Sequence, residues 1–200
     1  MKIIKKLIYS ILIVSILLLI VKATFIMYYY NHPLTAAIDR INFEEFSSDS
    51  DSGLLNMDYL NTEFNEAING SSEFQLFYSG SSLPSDDPKD YTRIRITYKF
   101  TNKSYFHVSG LYLLINEIPE GDNSIIMSQC PFSEGVDRYS TSTQFANIYI
   151  YKKGMSEEEI LSTINNISFI AIFNRNREPC SLNINKPDAS TLNDPSYIER

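Results

Sequence analysis

The chain has 200 residues, which allows one domain of ordinary size together with an appendage. Apolar residues make up 44% and charged residues 20%, so the composition excludes a disordered chain and a polytopic membrane protein. The formal net charge of −7 argues against a nucleic acid as partner, because binding to phosphates requires a basic surface. The frequent use of Ile, Asn, Lys and Tyr is typical of an AT-rich bacterial gene.

The amino terminus has the pattern of a membrane-targeting segment. Three lysines, Lys2, Lys5 and Lys6, precede an apolar run from Leu7 to Val21, as in a signal peptide or a signal anchor. The positive-inside rule places such an amino terminus in the cytoplasm and sends the rest of the chain across the membrane. The alternative is a buried core helix, which the clustered lysines disfavour.

The length of the apolar segment favours an anchor that is retained. Apolar character resumes at Ala23, and the run from Leu7 to Tyr30 corresponds to about 36 Å of helix, enough to cross about 30 Å of hydrocarbon. Lys22 then lies near the outer interface, and the tyrosines at 28–30 form an aromatic belt. We therefore expect residues 1–30 to anchor an extracytoplasmic domain in the cell membrane. The alternative is a signal peptide cleaved near Ala23, which gives a secreted protein.

A juxtamembrane segment is expected over residues 31–72. A short amphipathic helix is predicted from Leu34 to Asn42, because Pro33 suits a first helical turn and apolar residues recur at helical spacing. The Ser-rich and Asp-rich stretch 47–53 predicts an acidic linker. It resembles the opening of a calcium-binding loop but lacks the Gly and Glu of that loop in register. Residues 54–68 are predicted to form a short helix or a loop.

A β-rich domain is predicted over residues 73–186, with a loose tail over 187–200. Its clearest strand is Thr92–Thr101, where apolar and polar side chains alternate over eight residues. Further strands are predicted at 74–79, 105–108, 111–118, 124–129, 144–152, 167–174 and 182–185. Turns are predicted at Ser109-Gly110 and at 131–135. The segment Ile167–Phe173 is apolar on both faces, which favours a central position in a sheet.

One helix interrupts the late strands. Ser156 and Glu159 form the pattern of a capping box ahead of a helix at about 157–165. Many short strands with one such helix predict a mainly β fold, an antiparallel immunoglobulin-like β-sandwich. The layout resembles the immunoglobulin-like modules of Gram-positive cell surfaces. The resemblance is architectural and shares no motif, so it assigns no functional residue.

The two cysteines, Cys130 and Cys180, each lie at a strand end beside a proline. In an oxidising compartment the natural expectation is a disulfide. The bridge would close a loop of about 50 residues and stabilise the fold by about 4 kcal/mol in the chain-entropy model. The alternatives are two free thiols and a nucleophilic cysteine partnered by His107, although nothing local marks either cysteine as activated.

Signals of catalysis are weak. The sequence contains neither a nucleophile elbow nor a glycine-rich phosphate loop. It has two histidines, His32 at the membrane exit and His107 in a predicted strand, too few for a typical metal site. We therefore expect neither a metal nor a cofactor and no enzymatic activity. A hydrolase that uses His107 with a carboxylate or a serine is the alternative.

A candidate binding face comes from two strands. If Ala146, Ile148 and Ile150 point inward, aromatic side chains of the same strand point outward, beside a basic stripe on strand 92–101. Exposed tyrosines beside arginines favour protein binding. The alternative is that the tyrosines cover a second layer, such as the helix at Glu157, and that the arginines lie on a solvated strand face. The candidate binding residues are Arg93, Arg95, Lys99, Phe145, Tyr149 and Tyr151.

These patterns predict a non-catalytic, membrane-anchored, extracytoplasmic module that acts by protein–protein contact. It would serve as an envelope accessory protein or as an immunity-type inhibitor of a toxin. The expected partners are a protein and, through the N-terminal helix, the lipid bilayer, and not a nucleic acid. The alternatives are the His107 hydrolase and a structural spacer.

Overall fold

The computed structural model describes residues 2–47, 55–118, 123–184 and 198–199. These ranges hold three helices, α1 (Lys2–Asn31), α2 (Met57–Ile68) and α3 (Glu157–Asn166), and a 3-10 turn at Pro88–Asp90. The strands are β1 (Leu34–Glu45), β2 (Phe74–Leu76), β3 (Tyr91–Asn102), β4 (Val108–Glu117), β5 (Ile125–Gln129), β6 (Ser133–Val136), β7 (Thr141–Tyr151), β8 (Ser168–Arg175), β9 (Glu178–Ile184) and β10 (Ile198–Glu199).

The strands form two sheets. Sheet A has the order β10-β1-β3-β7-β5-β2, and sheet B has the order β6-β4-β8-β9. Neighbouring strands are antiparallel apart from the short pair of β10 with β1, which is parallel. The prediction of a mainly β chain with antiparallel pairing is therefore confirmed. Strand β8 lies between two neighbours, as its apolar sequence indicated.

Side chains of both sheets meet in one hydrophobic core. The alternation predicted for β3 is confirmed, because Ile94, Ile96, Tyr98 and Phe100 are all fully buried there. Strands β4 and β8 of sheet B contribute to the same core, with Leu111, Leu113, Phe169 and Ala171 among the buried residues. Burying a large apolar side chain stabilises a fold by roughly 1.5–3 kcal/mol, so this shared core holds the two sheets together.

The helix predicted from Leu34 to Asn42 is wrong, because these residues belong to strand β1, which pairs with β3. A register shift between Ile38 and Arg40 explains the misleading pattern. Up to Ile38 the even-numbered side chains face the core, and beyond the shift Ile41 and Phe43 do so. The irregularity turns a strand period of two into spacings of three, which imitate a helix. Residues 34–45 thus lie in sheet A, ahead of the β-rich region predicted from Glu73.

The strand predicted at 105–108 is also wrong, except for Val108, where β4 begins. Nearby side chains form hydrogen bonds with the backbone groups that a strand would use for pairing. The side-chain amide of Asn102 donates to the Phe106 carbonyl at 2.7 Å, and the Phe106 N–H donates to the Ser104 hydroxyl at 3.3 Å. Such bonds favour a compact turn over a sheet ladder.

Two predicted turns proved to contain strand. Ser109-Gly110 lies inside β4, where Gly110 has a φ of +62° beside a register shift in the pairing with β8. The segment 131–135 includes most of β6, a short edge strand. The other predicted strands are confirmed with altered ends.

Helix α1 is long and apolar enough to cross a membrane, and its apolar window has no buried residue. Such a helix is compatible with an anchor and with a signal sequence. The helix ends two residues before β1.

Helices α2 and α3 are both capped by side chains. The capping box of α3 is confirmed, with Ser156 and Glu159 bonded in both directions. In α2 the side chain of Asn56 accepts a hydrogen bond from the Tyr59 N–H at 2.9 Å. Of the predicted acidic linker, residues 48–53 lie outside the described residues, as does most of the predicted tail at 187–200.

Candidate functional site

The predicted binding residues lie on the face of sheet A that points away from the shared core, here called the outer face. In the pairing of β3 with β7, Arg93 is opposite Tyr149, Arg95 is opposite Asn147 and Thr97 is opposite Phe145. The inward side chains of β7, Ala146, Ile148 and Ile150, belong to the shared core. The strand alternation therefore places these residues on the face that the sequence indicated.

Helix α2 covers one half of the outer face. A second hydrophobic cluster forms there, and Tyr149 is only 1% exposed. The expectation that Tyr149 is an exposed contact residue is therefore wrong. The alternative, a second layer over the tyrosines, is what the structure shows, although the covering helix is α2 and not α3. The buried members of this cluster are Phe46, Leu60, Phe64, Ala67, Tyr91, Ile126, Met127 and Tyr149.

A buried polar network joins α2 to the sheet. Arg93 is 6% exposed, and its Nε lies 2.5 Å from a carboxylate oxygen of Glu44 on β1. Nη1 of Arg93 donates to the Tyr59 hydroxyl at 3.0 Å, and that hydroxyl donates to Glu63 at 2.5 Å. The Tyr149 hydroxyl donates to the other carboxylate oxygen of Glu63. Arg93 is therefore a structural residue beneath α2, and its assignment to an accessible binding stripe is wrong.

Three groups of this network, Arg93, Tyr149 and Tyr59, have raised pKa values. Burial acts to lower the pKa of Arg93, but its hydrogen bonds and charge interactions with Glu44 and Tyr149 together outweigh burial, and the pKa is raised. Burial raises the pKa of Tyr149 and of Tyr59, and the Glu63 carboxylate raises both further. The two phenols therefore remain neutral donors, and Arg93 remains a cation.

A second group of side chains on the outer face centres on Arg95; its members are half-buried apart from Asn147, which is buried. Arg95 is half-buried, its Nε donates to the Asn147 side chain at 2.9 Å, and its guanidinium carbon lies 4.8 Å from the centre of the Phe145 ring. The Asn147 amide in turn donates to the Gln129 side chain at 2.7 Å. We call Arg95, Phe145, Asn147 and Gln129 the Arg95 cluster. Lys99 is exposed farther along β3.

The sequence did not reveal that Asn147 on β7 and Gln129 on β5 belong to the Arg95 cluster. Asn147 and Gln129 are opposite each other in these strands, a register that no local pattern encodes. The covering helix had a usable signal. Leu60, Phe64 and Ala67 recur at helical spacing behind the N-cap residue Asn56, a pattern that predicts an amphipathic helix.

The two cysteines are free, so the predicted disulfide is absent from this structure. Cys130 follows β5 in sheet A and is buried in the core, with its sulfur 3.9 Å from the Ser128 hydroxyl. Burial raises the pKa of the Cys130 thiol to about 12. Cys180 lies on β9 in sheet B and donates to the Glu178 carbonyl at 3.6 Å. The two cysteines therefore lie on different sheets, Cys130 within the shared core and Cys180 packed against it, without a bond between them.

His107 forms an exposed pair with a carboxylate. Its Nδ1 lies 3.0 Å from Asp137, and the two side chains are 51% and 83% exposed. No hydroxyl or thiol of the described residues is bonded to His107. The same ranges contain no group of three His, Cys, Asp or Glu that could hold a metal ion. His32 stacks against Tyr28 at the end of α1, with ring centres 5.0 Å apart.

Comparison with protein-family models, with curated proteins and with solved structures found no match to this chain. Any functional assignment therefore rests on the geometry of the outer face. Among the predicted binding residues, Arg95 and Phe145 are in contact, while Arg93 and Tyr149 lie beneath α2. Tyr151 is half-buried and packs on Tyr91, with ring centres 5.5 Å apart.

Proposed function

We propose that the protein is a non-catalytic binding module that is held at a membrane by α1 and contacts a protein partner through the Arg95 cluster. The apolar length of α1 supports the anchor. Lys2, Lys5 and Lys6 ahead of the apolar run support a cytoplasmic amino terminus and an extracytoplasmic domain. The core shared by the two sheets supports an immunoglobulin-like sandwich as the domain architecture.

The observation that carries this proposal is the fixed position of the Arg95 guanidinium. One nitrogen is bonded to Asn147, and the group lies over the face of Phe145. An arginine that is already held loses less conformational entropy on binding, and a guanidinium can pair with a carboxylate through two parallel hydrogen bonds. Arginine and aromatic residues also dominate the energetics of protein interfaces. The cluster therefore suits an acidic side chain of a partner protein.

Site-specific crosslinking in intact cells tests this proposal. Benzoylphenylalanine at position 145 keeps an aromatic ring under Arg95 and captures molecules within reach. The matched control carries the same residue in place of Phe132, which is 64% exposed and precedes β6 in sheet B. We expect one protein adduct from position 145 and none from position 132, identified by mass spectrometry.

The Arg95→Ala variant then tests the role of the guanidinium. Loss of an interface arginine of this kind costs about 2 kcal/mol, roughly thirtyfold in Kd, so the adduct at position 145 should largely disappear. Lys99→Ala, which removes an exposed cation from the same strand face, should leave it unchanged. Equal adducts from positions 145 and 132 that persist in Arg95→Ala would contradict the proposal. The absence of any adduct would favour the spacer alternative.

A further inference from the structure

Helix α1 is attached to the domain without a flexible connection. Two residues separate the end of α1 from the start of β1. The Arg175 guanidinium lies 4.1 Å from the centre of the Tyr30 ring and donates to the Tyr30 carbonyl at 2.5 Å. Tyr30 also packs against Phe106 at 5.4 Å, and the Lys103 N–H donates to the Pro33 carbonyl at 2.9 Å. The orientation of the helix therefore sets the orientation of this end of the domain.

Two loops of the domain extend back along the helix. They precede β4 and β7, and they contribute Lys103, Tyr105 and Tyr139 to one wall of a cleft of about 380 Å³. The other wall is the α1 surface from Leu18 to Tyr29. At 1.5 Å per residue this stretch of helix is about 18 Å long. The loop tips therefore lie beside the helix and not beyond its end.

The helix length places these tips at a membrane boundary. The twenty residues from Leu7 to Ile26 span about 30 Å, the thickness of the hydrocarbon core. With that stretch in the bilayer, Ile26 lies at the outer boundary. The cleft lined by Tyr105 and Tyr139 runs along α1 from Leu18, inside this boundary, to Tyr29, beyond it, so the two loop tyrosines lie beside the stretch of helix that crosses the boundary.

The chemistry of the tips fits this location. Tyr105 and Tyr139 are 48% and 59% exposed and form an edge-to-face pair with ring centres 5.1 Å apart. Tyr139 has a φ of +52°, an unusual conformation that the turn imposes on a bulky residue. Lys103 and Arg138 beside them are exposed. Tyrosines prefer the membrane interface, and basic residues prefer the phosphates of its headgroups.

The basic character of this end contrasts with the rest of the domain. Residues 24–200 hold 13 Lys and Arg against 24 Asp and Glu, so the region beyond the anchor is acidic on average. Around the two loop tyrosines, by contrast, Lys22 and Lys103 line the cleft and Arg138 adjoins Tyr139, while the acidic Asp137 is paired with His107 and Glu178 is paired with Arg175. The local charge is therefore suited to an anionic surface, although the mean charge is not.

We propose that Tyr105 and Tyr139, flanked by Lys103 and Arg138, dock the domain onto the phospholipid headgroup layer of the membrane that holds α1. The proposal rests on the anchoring of α1 in the proposed function. Docking holds the sheets in one orientation relative to the bilayer and directs the opposite end of the domain, where β3 begins and β7 ends, away from the surface.

Tryptophan fluorescence tests the docking, because the natural chain contains no Trp. The full chain is reconstituted in vesicles of phosphatidylcholine and phosphatidylglycerol, with lipids brominated on the acyl carbons nearest the headgroup as quenchers. Tyr139→Trp reports on the loop tip, and Tyr9→Trp reports on insertion of α1. Lys153→Trp, in the exposed turn after β7, is the matched control at the opposite end, since Trp has the same interfacial preference there.

We expect brominated lipid to quench the Trp at position 139 strongly and the Trp at position 153 hardly at all. Adding Lys103→Gln and Arg138→Gln to Tyr139→Trp should remove much of the quenching. Quenching at position 9 without quenching at position 139 would overturn the docking and leave the anchor intact. No quenching at position 9 would overturn the anchor and the docking together. Equal quenching at positions 139 and 153 would overturn the proposed orientation.

Discussion

Glu63 is the residue on which the contact between α2 and the sheet depends. Glu63 is buried, with 7% of its surface exposed. Its two carboxylate oxygens accept hydrogen bonds from the hydroxyls of Tyr59 and Tyr149. Tyr59 in turn accepts from Arg93, whose charge is paired with Glu44. Burying such groups is tolerated because each has a partner, and removing one partner leaves the others buried without theirs.

Replacing Glu63 by Ala should therefore destabilise the fold by about 1–3 kcal/mol, because the buried Tyr149 hydroxyl loses its acceptor. The measurement is thermal unfolding of the full chain in detergent micelles, followed by near-ultraviolet circular dichroism. Glu66→Ala is the matched control, since this glutamate is exposed on the same helix and should change stability by less than about 0.5 kcal/mol. Equal effects of the two substitutions would show that the network contributes nothing.

For individual residues, the sequence predicted which face of the sheet a side chain lies on but not whether that side chain is accessible to solvent. Alternation placed Arg93 and Tyr149 on the outer face correctly, because the period of two is a property of the strand itself. Whether that face is covered depends on α2, which contacts the face from a separate part of the chain. No pattern within β3 or β7 contains that information, so two of the candidate binding residues proved to be buried.

Among the elements, β1 shows how an irregularity conceals a strand. Its core-facing residues change parity at the register shift between Ile38 and Arg40. Each half of the strand alternates correctly, but the whole segment has apolar residues at helical spacing. The regular strand β3 was predicted within one residue at each end, because nothing interrupts its alternation. Regular elements are therefore readable from sequence, and irregular ones require knowledge of the neighbouring strand.

The edge strand β6 depends on a glycine that contacts its neighbour closely. Gly135 has a φ of +130°, and a Cβ atom there would lie 1.9 Å from the Val108 carbonyl oxygen. We expect Gly135→Ala to destabilise the fold by about 3 kcal/mol or more, because both the backbone conformation and the steric overlap oppose the methyl group. The same thermal unfolding experiment measures it.

The Gly70→Ala variant separates the cost of the backbone conformation from the cost of the steric overlap. Gly70 also has a positive φ, +79°, but a Cβ atom there would meet nothing within 4 Å. Its substitution should cost about 1 kcal/mol, the penalty of the backbone conformation alone. If both substitutions proved equally mild, the close approach of β6 to β4 would be incorrect.

For the whole molecule, the two hydrophobic clusters make the fold sensitive to alkaline pH. Burial raises the pKa of Tyr91 to about 12 and that of the Cys130 thiol to about 12, and it raises the pKa of Tyr149 as well. Tyr91 and Tyr149 lie in the cluster beneath α2, and Cys130 lies in the core between the sheets. Ionising any of these groups places a charge inside one of the two clusters and therefore destabilises the fold.

Because the folded-state pKa values exceed those of an unfolded chain, their contribution to stability is complete below about pH 9 and is lost as the pH rises toward about 12. We expect the midpoint of thermal unfolding to be nearly constant between neutral pH and about pH 9 and to fall steeply above about pH 10. Ultraviolet absorbance of tyrosinate provides the second measurement. Ionisation of all 14 tyrosines near their ordinary pKa, with the fold intact, would contradict the prediction.

The pairing of Ile41 in β1 with Ile198 in β10 brings together segments from opposite ends of the chain. Synthesis begins at the amino end, so β1 exists long before β10 does. During that interval one edge of β1 presents unpaired backbone groups to any other extended chain, even after β3 has paired with the opposite edge. The register shift beside Ile41 distorts this edge and makes it a poor template for strand addition. We therefore expect the irregularity that conceals β1 in the sequence also to limit aggregation of the nascent chain.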